Sequence, residues 1–237
     1  PAQSARLAAA EASLVREPPP AGPDDLFLRQ PVEGARKGGG TIAYYAGAVT
    51  ILFALFSAMH GALSLIDERQ SGISDRILAR PAGMGPVVTG KFLFLFCQAV
   101  AQACAIFATA EVLYATPVLD HLFYWTVTTA AVALCAGGLA LGVVSLCRTR
   151  DQAQMLSTFI ILILSAIGGS MVPRFLMPPW LQEVGWFTPH AWAIDAYQGV
   201  LWRDEGSGTL YKAWLVLALI GVAGLAIAQA ASRRVQR

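Results

Sequence analysis

Charge is what this chain has least of. Only 14% of its 237 residues are Asp, Glu, Lys or Arg, against roughly a quarter in an ordinary soluble domain. Meanwhile 56% are hydrophobic and the mean hydropathy is +0.55. So little charge excludes a surface solvated mainly by water. The net charge of +2 is too small to attract a polyanion, and the 17 basic residues are dispersed, which excludes the basic stripe of a nucleic-acid binder. Cysteine is scarce as well. Cys97, Cys104, Cys135 and Cys147 lie in or beside apolar stretches, with no C-x-x-C pair and no attendant His. They read as small buried hydrophobes, and no metal site is expected. An initiator Met is missing, and nothing before residue 40 has the basic and apolar regions of a signal peptide. The chain is expected to be a fragment.

What the chain does have is long apolar runs. A helix needs about 20 largely apolar residues to cross a bilayer, because lipid offers no partner to exposed backbone groups. Five stretches qualify, near residues 43–66, 92–113, 122–146, 155–172 and 210–230, with only Glu111 and Lys212 formally charged inside them. The fold class is therefore an all-α polytopic membrane bundle. Orientation follows from the short connections, since cytoplasmic loops retain Lys and Arg. Arg69, Arg76, Arg80 and Lys91 lie between the first two spans, Arg148 and Arg150 between the third and fourth, and Arg233, Arg234 and Arg237 after the last. The Trp and Tyr residues gather on the opposite side, from Tyr44 and Tyr45 through the run between Trp180 and Trp202 to Trp214, as rings at a membrane interface do. A cytoplasmic C-terminus and an external N-terminal tail follow.

Outside the spans, residues 1–40 join an Ala-rich stretch to a Pro/Gly-rich tract ending in RKGGG. They read as an external remnant and linker, or as a mobile end. The loop 67–91, DERQSGISDRILARPAGMGPVVTGK, holds a short amphipathic helix: Ser71 can cap it, Ile73 and Ile77 share a face, and Pro81 ends it. It either lies on lipid or docks on a partner. The external segment 173–209 is too polar and too Pro-broken for a sixth span; short re-entrant or interfacial helices fit it. Within the spans, Thr50, Ser57, Gly61 and Ser64 share one helical face and Gln98, Gln102, Ala105 and Thr109 another, while Gly138 and Gly142 form G-x-x-x-G. Such faces serve close helix packing, a substrate path, or contact with another subunit.

Two motifs invite an enzymatic reading. Gly85 to Lys91, GPVVTGK, matches a phosphate loop up to its lysine, but Phe92 stands where the magnesium-binding hydroxyl belongs; it reads instead as a turn leading to an interfacial Lys. His190 and Asp195 have the H-x-x-x-x-D spacing of some acyltransferases, with no nucleophile or oxyanion device beside them. Positions five apart do not share a helix face. No catalytic residue is assigned. His60 reads as a packing histidine, Glu111 as a solvated rim carboxylate.

The run YYAGAVTILFALFSAMHGALSLIDERQSGISDRILARPAGMGPVVTGK resembles the second span, first cytoplasmic loop and third span of type-2 ABC exporter permeases. In that family a span ends in an E-R-x-x-G-like element, continues into a short helix ending at Pro, and resumes at Gly-Lys. SAIGGSMVPRFLMPPWLQEVGWFTPHAWAIDAYQGVLW resembles the exit of its fifth span. The resemblance covers residues 41–237. It implies a six-span permease with an external domain, so that this chain would show the last five spans. It also implies two permease halves, as a homo- or heterodimer, working with two cytoplasmic ATPases. ATP and magnesium would be bound by that ATPase and no cofactor by this chain. Carried over, the ATPase-docking positions are Glu68, Arg69, Gly72, Ser74, Asp75, Arg76 and Arg80, and Gln70 departs from the pattern where a second acidic residue is common. Thr50, Ser57, Ser64, Gln98, Gln102 and Thr109 are the candidates for a translocation path or packing face. The expected function is export of a hydrophobic or drug-like substrate across a bacterial inner membrane. The competing readings are a secondary transporter, which would need paired midplane charges, and a membrane-embedded transferase using His190 and Asp195.

Overall fold

A computed structural model describes residues 39–71 and 85–234. The chain divides into two units, residues 1–35 and 36–237; the first lies outside the described residues. The second is a helical bundle, with no strand among its described residues. Its elements are α1 (Gly39–Ala62), α2 (Ser64–Gln70), α3 (Gly85–Tyr114), α4 (Leu122–Ser145), α5 (Arg150–Gly168), a 3-10 helix (Arg174–Leu176), α6 (Pro179–Gly185), α7 (Pro189–Leu201) and α8 (Ser207–Arg234). Five segments are long and apolar enough to cross a membrane: Gly40–Glu68, Gly85–Tyr114, Leu122–Ser145, Arg150–Gly168 and Ser207–Ser232. These are the five spans that the hydropathy predicts.

The centre of the bundle is α4, 72% of whose most apolar stretch is buried against 22–28% for α3, α5 and α8. Small residues put it there. Gly138 and Gly142 face Gly221 and Gly224 of α8 so closely that a Cβ on Gly138 would lie 1.9 Å from the Gly221 carbonyl oxygen. Backbones this near each other admit no side chain, the packing that small residues allow in a membrane, where helices gain nothing from excluding water. At the tryptophan-rich end the bundle is closed by rings: Phe107 packs on Trp125 and Tyr197, with centroids 5.6 and 4.7 Å apart. The Tyr197 hydroxyl pairs with Thr129 Oγ1 at 3.1 Å and Trp214 Nε1 donates to Thr128 Oγ1 at 2.8 Å, so these two rings keep their polar atoms satisfied, whereas Trp125 Nε1 is buried without a partner among the described residues.

Several boundaries differ from the sequence expectation. The second span starts at Gly85, not Phe92: GPVVTGK is the first two turns of α3, and Pro86 just inside the helix start is a favoured position because its missing N–H needs no partner there. The fourth span runs from Arg150 to Gly168 and not to Val172. Thr149 caps its start by accepting the Gln152 N–H at 3.2 Å, and Gly169, at φ 102°, ends it in a left-handed conformation that glycine adopts without strain. Two cysteines also depart from expectation. Cys135 and Cys147 are buried, but Cys97 and Cys104 face outward from α3, where lipid suits a thiol as well as a core does.

Between α5 and α8, residues 169–206 hold three short helices. Prolines set them: Pro179 and Pro189 occupy the first positions of α6 and α7, and the Thr188 side chain caps α7 by accepting the Ala191 N–H. Tyr44 ties this segment to α1, its hydroxyl donating to the Gly169 carbonyl at 2.6 Å and accepting the Arg174 N–H at 2.9 Å.

Candidate functional site

The first span is broken near one end. At Leu63 the α1 ladder loosens, the Leu63 amide being shared between the Met59 and His60 carbonyls at 3.3 Å each, and the Ser64 hydroxyl donates back to the Gly61 carbonyl at 2.8 Å. Back-bonding of this kind bends a helix. The seven-residue α2 that follows carries Asp67 and Glu68, and both are held by other spans. Lys91 of α3 donates to Glu68 Oε1 at 2.7 Å and to Ser64 Oγ at 2.8 Å. Arg150, at the start of α5, donates to Asp67. Three spans thus meet at α2.

The two ion pairs differ in weight. Side-chain exposure is 16% for Lys91 and 29% for Glu68, but 52% and 45% for Arg150 and Asp67. The first pair is partly shielded and shares a third partner; the second is solvated and adds orientation more than energy. Glu68 Oε2 is buried without a hydrogen-bond partner, so removing Lys91 would leave a carboxylate half-desolvated with nothing to offset it.

Above this base, α1 and α3 continue in contact. Gly61 lets Leu95 approach, since a Cβ there would lie 2.5 Å from Leu95 Cδ2 and 3.6 Å from Gln98 Oε1. One turn higher, Ser57 Oγ donates to Gln102 Oε1 at 2.9 Å. Ser57, Ser64 and Gln102, with Lys91, therefore form one seam. Gln98 lies beside it with a buried, unpartnered Oε1. Thr50 and Thr109 bond only their own helices, to the carbonyls of Ala46 and Ala105. Gly72, Ser74, Asp75, Arg76 and Arg80, with the Arg69 side chain, lie outside the described residues.

Neither enzymatic motif has the partners its chemistry needs. In GPVVTGK, Thr89 Oγ1 donates to the Gly85 carbonyl and Lys91 is engaged by Glu68, so neither the loop nor the free lysine that phosphate binding needs is present. Asp195 bonds Arg203 Nη2 at 2.9 Å and not His190. His190 is fully buried, neither ring nitrogen has a partner, and burial pushes its pKa down to about 3. A general base near neutral pH needs the opposite environment. Glu111, partly exposed near the end of α3, has a structural task as well: its Oε2 accepts the Val118 N–H at 2.7 Å and so secures the turn into α4.

From sequence alone Lys91 and Arg150 mark only orientation, and Asp67 has no role. Their signal was the opposite charge on neighbouring span ends, which identifies partners only once it is known which spans are adjacent. Likewise Gly221 and Gly224, the counterpart of Gly138 and Gly142, stood unremarked in the last span.

Comparison with known proteins supplies the context. Residues 25–202 match the family described as ABC-2 type transporter. The Escherichia coli K12 protein named "Probable multidrug ABC transporter permease YbhR" is 27% identical over 168 residues, covering 69% of this chain and 45% of the relative. "Inner membrane transport permease YhhJ" of the same organism is 22% identical over 191 residues, 78% and 50% of the two chains. "Linearmycin resistance permease protein LnrN" of Bacillus subtilis 168 is 22% identical over 194 residues, 78% and 46%. The chain spans about half the length of these curated relatives.

Proposed function

The chain belongs to the ABC-2 type transporter family, and on that premise we propose that it is the permease part of an ATP-driven exporter whose α2 is the point at which a separate ATPase moves the membrane helices. The observation that carries this reading is the junction at α2. Glu68, itself read as an ATPase-docking position, is joined to α3 by Lys91, and the neighbouring Asp67 to α5 by Arg150. An ATPase can do work on a membrane helix only through a contact that differs between its two states. A push on residues 72–84 enters at α2, to which α3 and α5 are tied, so α3 and α5 shift with α2 past the bend at Leu63. ATP and magnesium belong to the partner, which approaches from the arginine-rich side; that side is cytoplasmic, and a second permease half completes the path. Relatives named for multidrug transport and for linearmycin resistance support a hydrophobic, drug-like substrate moving outward.

The test places single cysteines at Ser74 or Arg76 of the full-length protein, with Cys97, Cys104, Cys135 and Cys147 replaced by Ala, and seeks crosslinks to the co-expressed ATPase. Crosslinks at both positions are expected. Their absence from a complex that still transports would overturn the docking assignment.

A further inference from the structure

The start of α1, the 3-10 helix, α6 and α7 enclose a cleft of about 480 Å³ at the tryptophan-rich end of the bundle, within the size range of small-molecule sites. Its walls are braced: the Tyr44 hydroxyl joins α1 to Gly169 and Arg174, and Gln182 Nε2 donates to the Met177 carbonyl at 2.9 Å. One wall holds a cation with capacity to spare. The Arg174 guanidinium carbon stands 3.9 Å from the centroid of the Trp186 ring, Nη2 donates to the Gln182 carbonyl at 2.9 Å, and Nε is buried without an acceptor. Two carboxylates line the same cleft. Glu183 makes no ion pair among the described residues, and Asp195 Oδ1 accepts from Arg203 Nη2. The rest of the lining includes the apolar Phe175, Pro179 and Ile194. The adjoining Leu176, Trp180 and Phe187 are largely exposed, which suits a membrane interface.

We propose that this cleft binds a zwitterionic amphiphile, with its phosphate against Arg174, its ammonium against Glu183 and Asp195, and the start of its chain along Phe175 and Trp186. A simple anion would meet two carboxylates. A simple cation would meet a guanidinium already seated on the tryptophan face. Only a head with both charges complements both walls, and charge-assisted hydrogen bonds to Arg174 fix its direction. The apolar lining requires a chain on the head. This site is independent of the ATPase contact, so its failure leaves the permease reading untouched.

The full-length permease, purified in detergent, is titrated with phosphatidylethanolamine and separately with phosphatidylglycerol, and retained lipid is counted by native mass spectrometry. Phosphatidylethanolamine should bind about tenfold more tightly. Glu183→Gln, an exposed change outside the braced frame, should remove most of that preference, because the ammonium loses a partner and phosphatidylglycerol is relieved of a repelling carboxylate. Arg174→Gln should weaken retention of both lipids. Equal retention of the two lipids by the unaltered protein, or an undiminished preference in Glu183→Gln, overturns the proposal. Free phosphoethanolamine, which carries the head alone, should compete poorly; competition as potent as the lipid's would overturn the need for a chain.

Discussion

At the scale of single residues, glycines and one histidine give the sharpest expectations. Gly138 and Gly90 are both helical glycines, yet substitution should act in opposite directions. A side chain on Gly138 meets the Gly221 backbone at 1.9 Å, whereas nothing lies within 4 Å of a Cβ on Gly90. Gly138→Val should therefore cost about 3 kcal/mol or more, or abolish assembly, while Gly90→Ala should stabilise α3 by roughly 0.5–1 kcal/mol. Thermal unfolding in detergent checks both, and equal effects would contradict the packing described. His190 makes a pH prediction. Its folded pKa, about 3, lies below the ordinary histidine value of 6.5, so the unfolded chain takes up the proton first. The stability due to the neutral ring is present above pH 6.5 and is lost as pH falls toward 3, at on the order of 1 kcal/mol per pH unit. His190→Leu should flatten that part of the acid-unfolding profile; an unchanged profile would show that the ring does not stay neutral when folded.

At the scale of elements, α2 decides how the first span behaves. It is too short to be stable alone, and it sits past a bend at Leu63 that would otherwise let it swing. Lys91 supplies the restraint. Lys91→Met should lower stability by roughly 1–3 kcal/mol and reduce transport per ATP hydrolysed, because the base no longer carries α3 with it. The exchange of Glu68→Lys with Lys91→Glu should recover most of the coupling, whereas either single change should not. A single change that leaves the transport-to-hydrolysis ratio intact would remove α2 from the mechanism. The elements themselves were largely legible in advance: apolar length marked the five spans, and prolines marked the interfacial helices. What stayed illegible was adjacency. Ser57, Gly61 and Ser64 could be placed on one face of α1 by periodicity, but that their partners were Gln102, Leu95 and Lys91 depends on how two helices are rotated in the bundle, which a repeat of 3.6 residues does not encode. The misplaced start of α3 has a local cause. Gly85, Pro86 and Gly90 are turn-forming residues by type, and only their position at a helix N-terminus makes them part of the span.

For the whole molecule, the bundle separates into regions of different stiffness. The α4–α8 pair is locked by glycine contacts and α4 is mostly buried, whereas α5 is held by the single stripe of Ala153, Ser157, Ile161, Ser165 and Gly168. A helix attached along one narrow face, and gripped at its foot by Arg150, can follow α2 when α2 is displaced. On this account the rigid post is α4 with α8 and the moving part is α2 with α3 and α5. A cysteine pair that locks α5 to α1 across Ile161 and Met59 should abolish transport and leave ATP hydrolysis by the partner running, and its reduction should restore transport. Preserved transport in the locked form would contradict the division.

The energy for transport is proposed to enter from a partner ATPase. The most direct measurement is transport of a hydrophobic dye by the full-length permease reconstituted in liposomes with and without its ATPase, in the presence and absence of ATP and of an ion gradient. Transport is expected only when ATPase and ATP are both present, with no dependence on the gradient. Transport driven by the gradient alone, without the ATPase, would contradict that proposal.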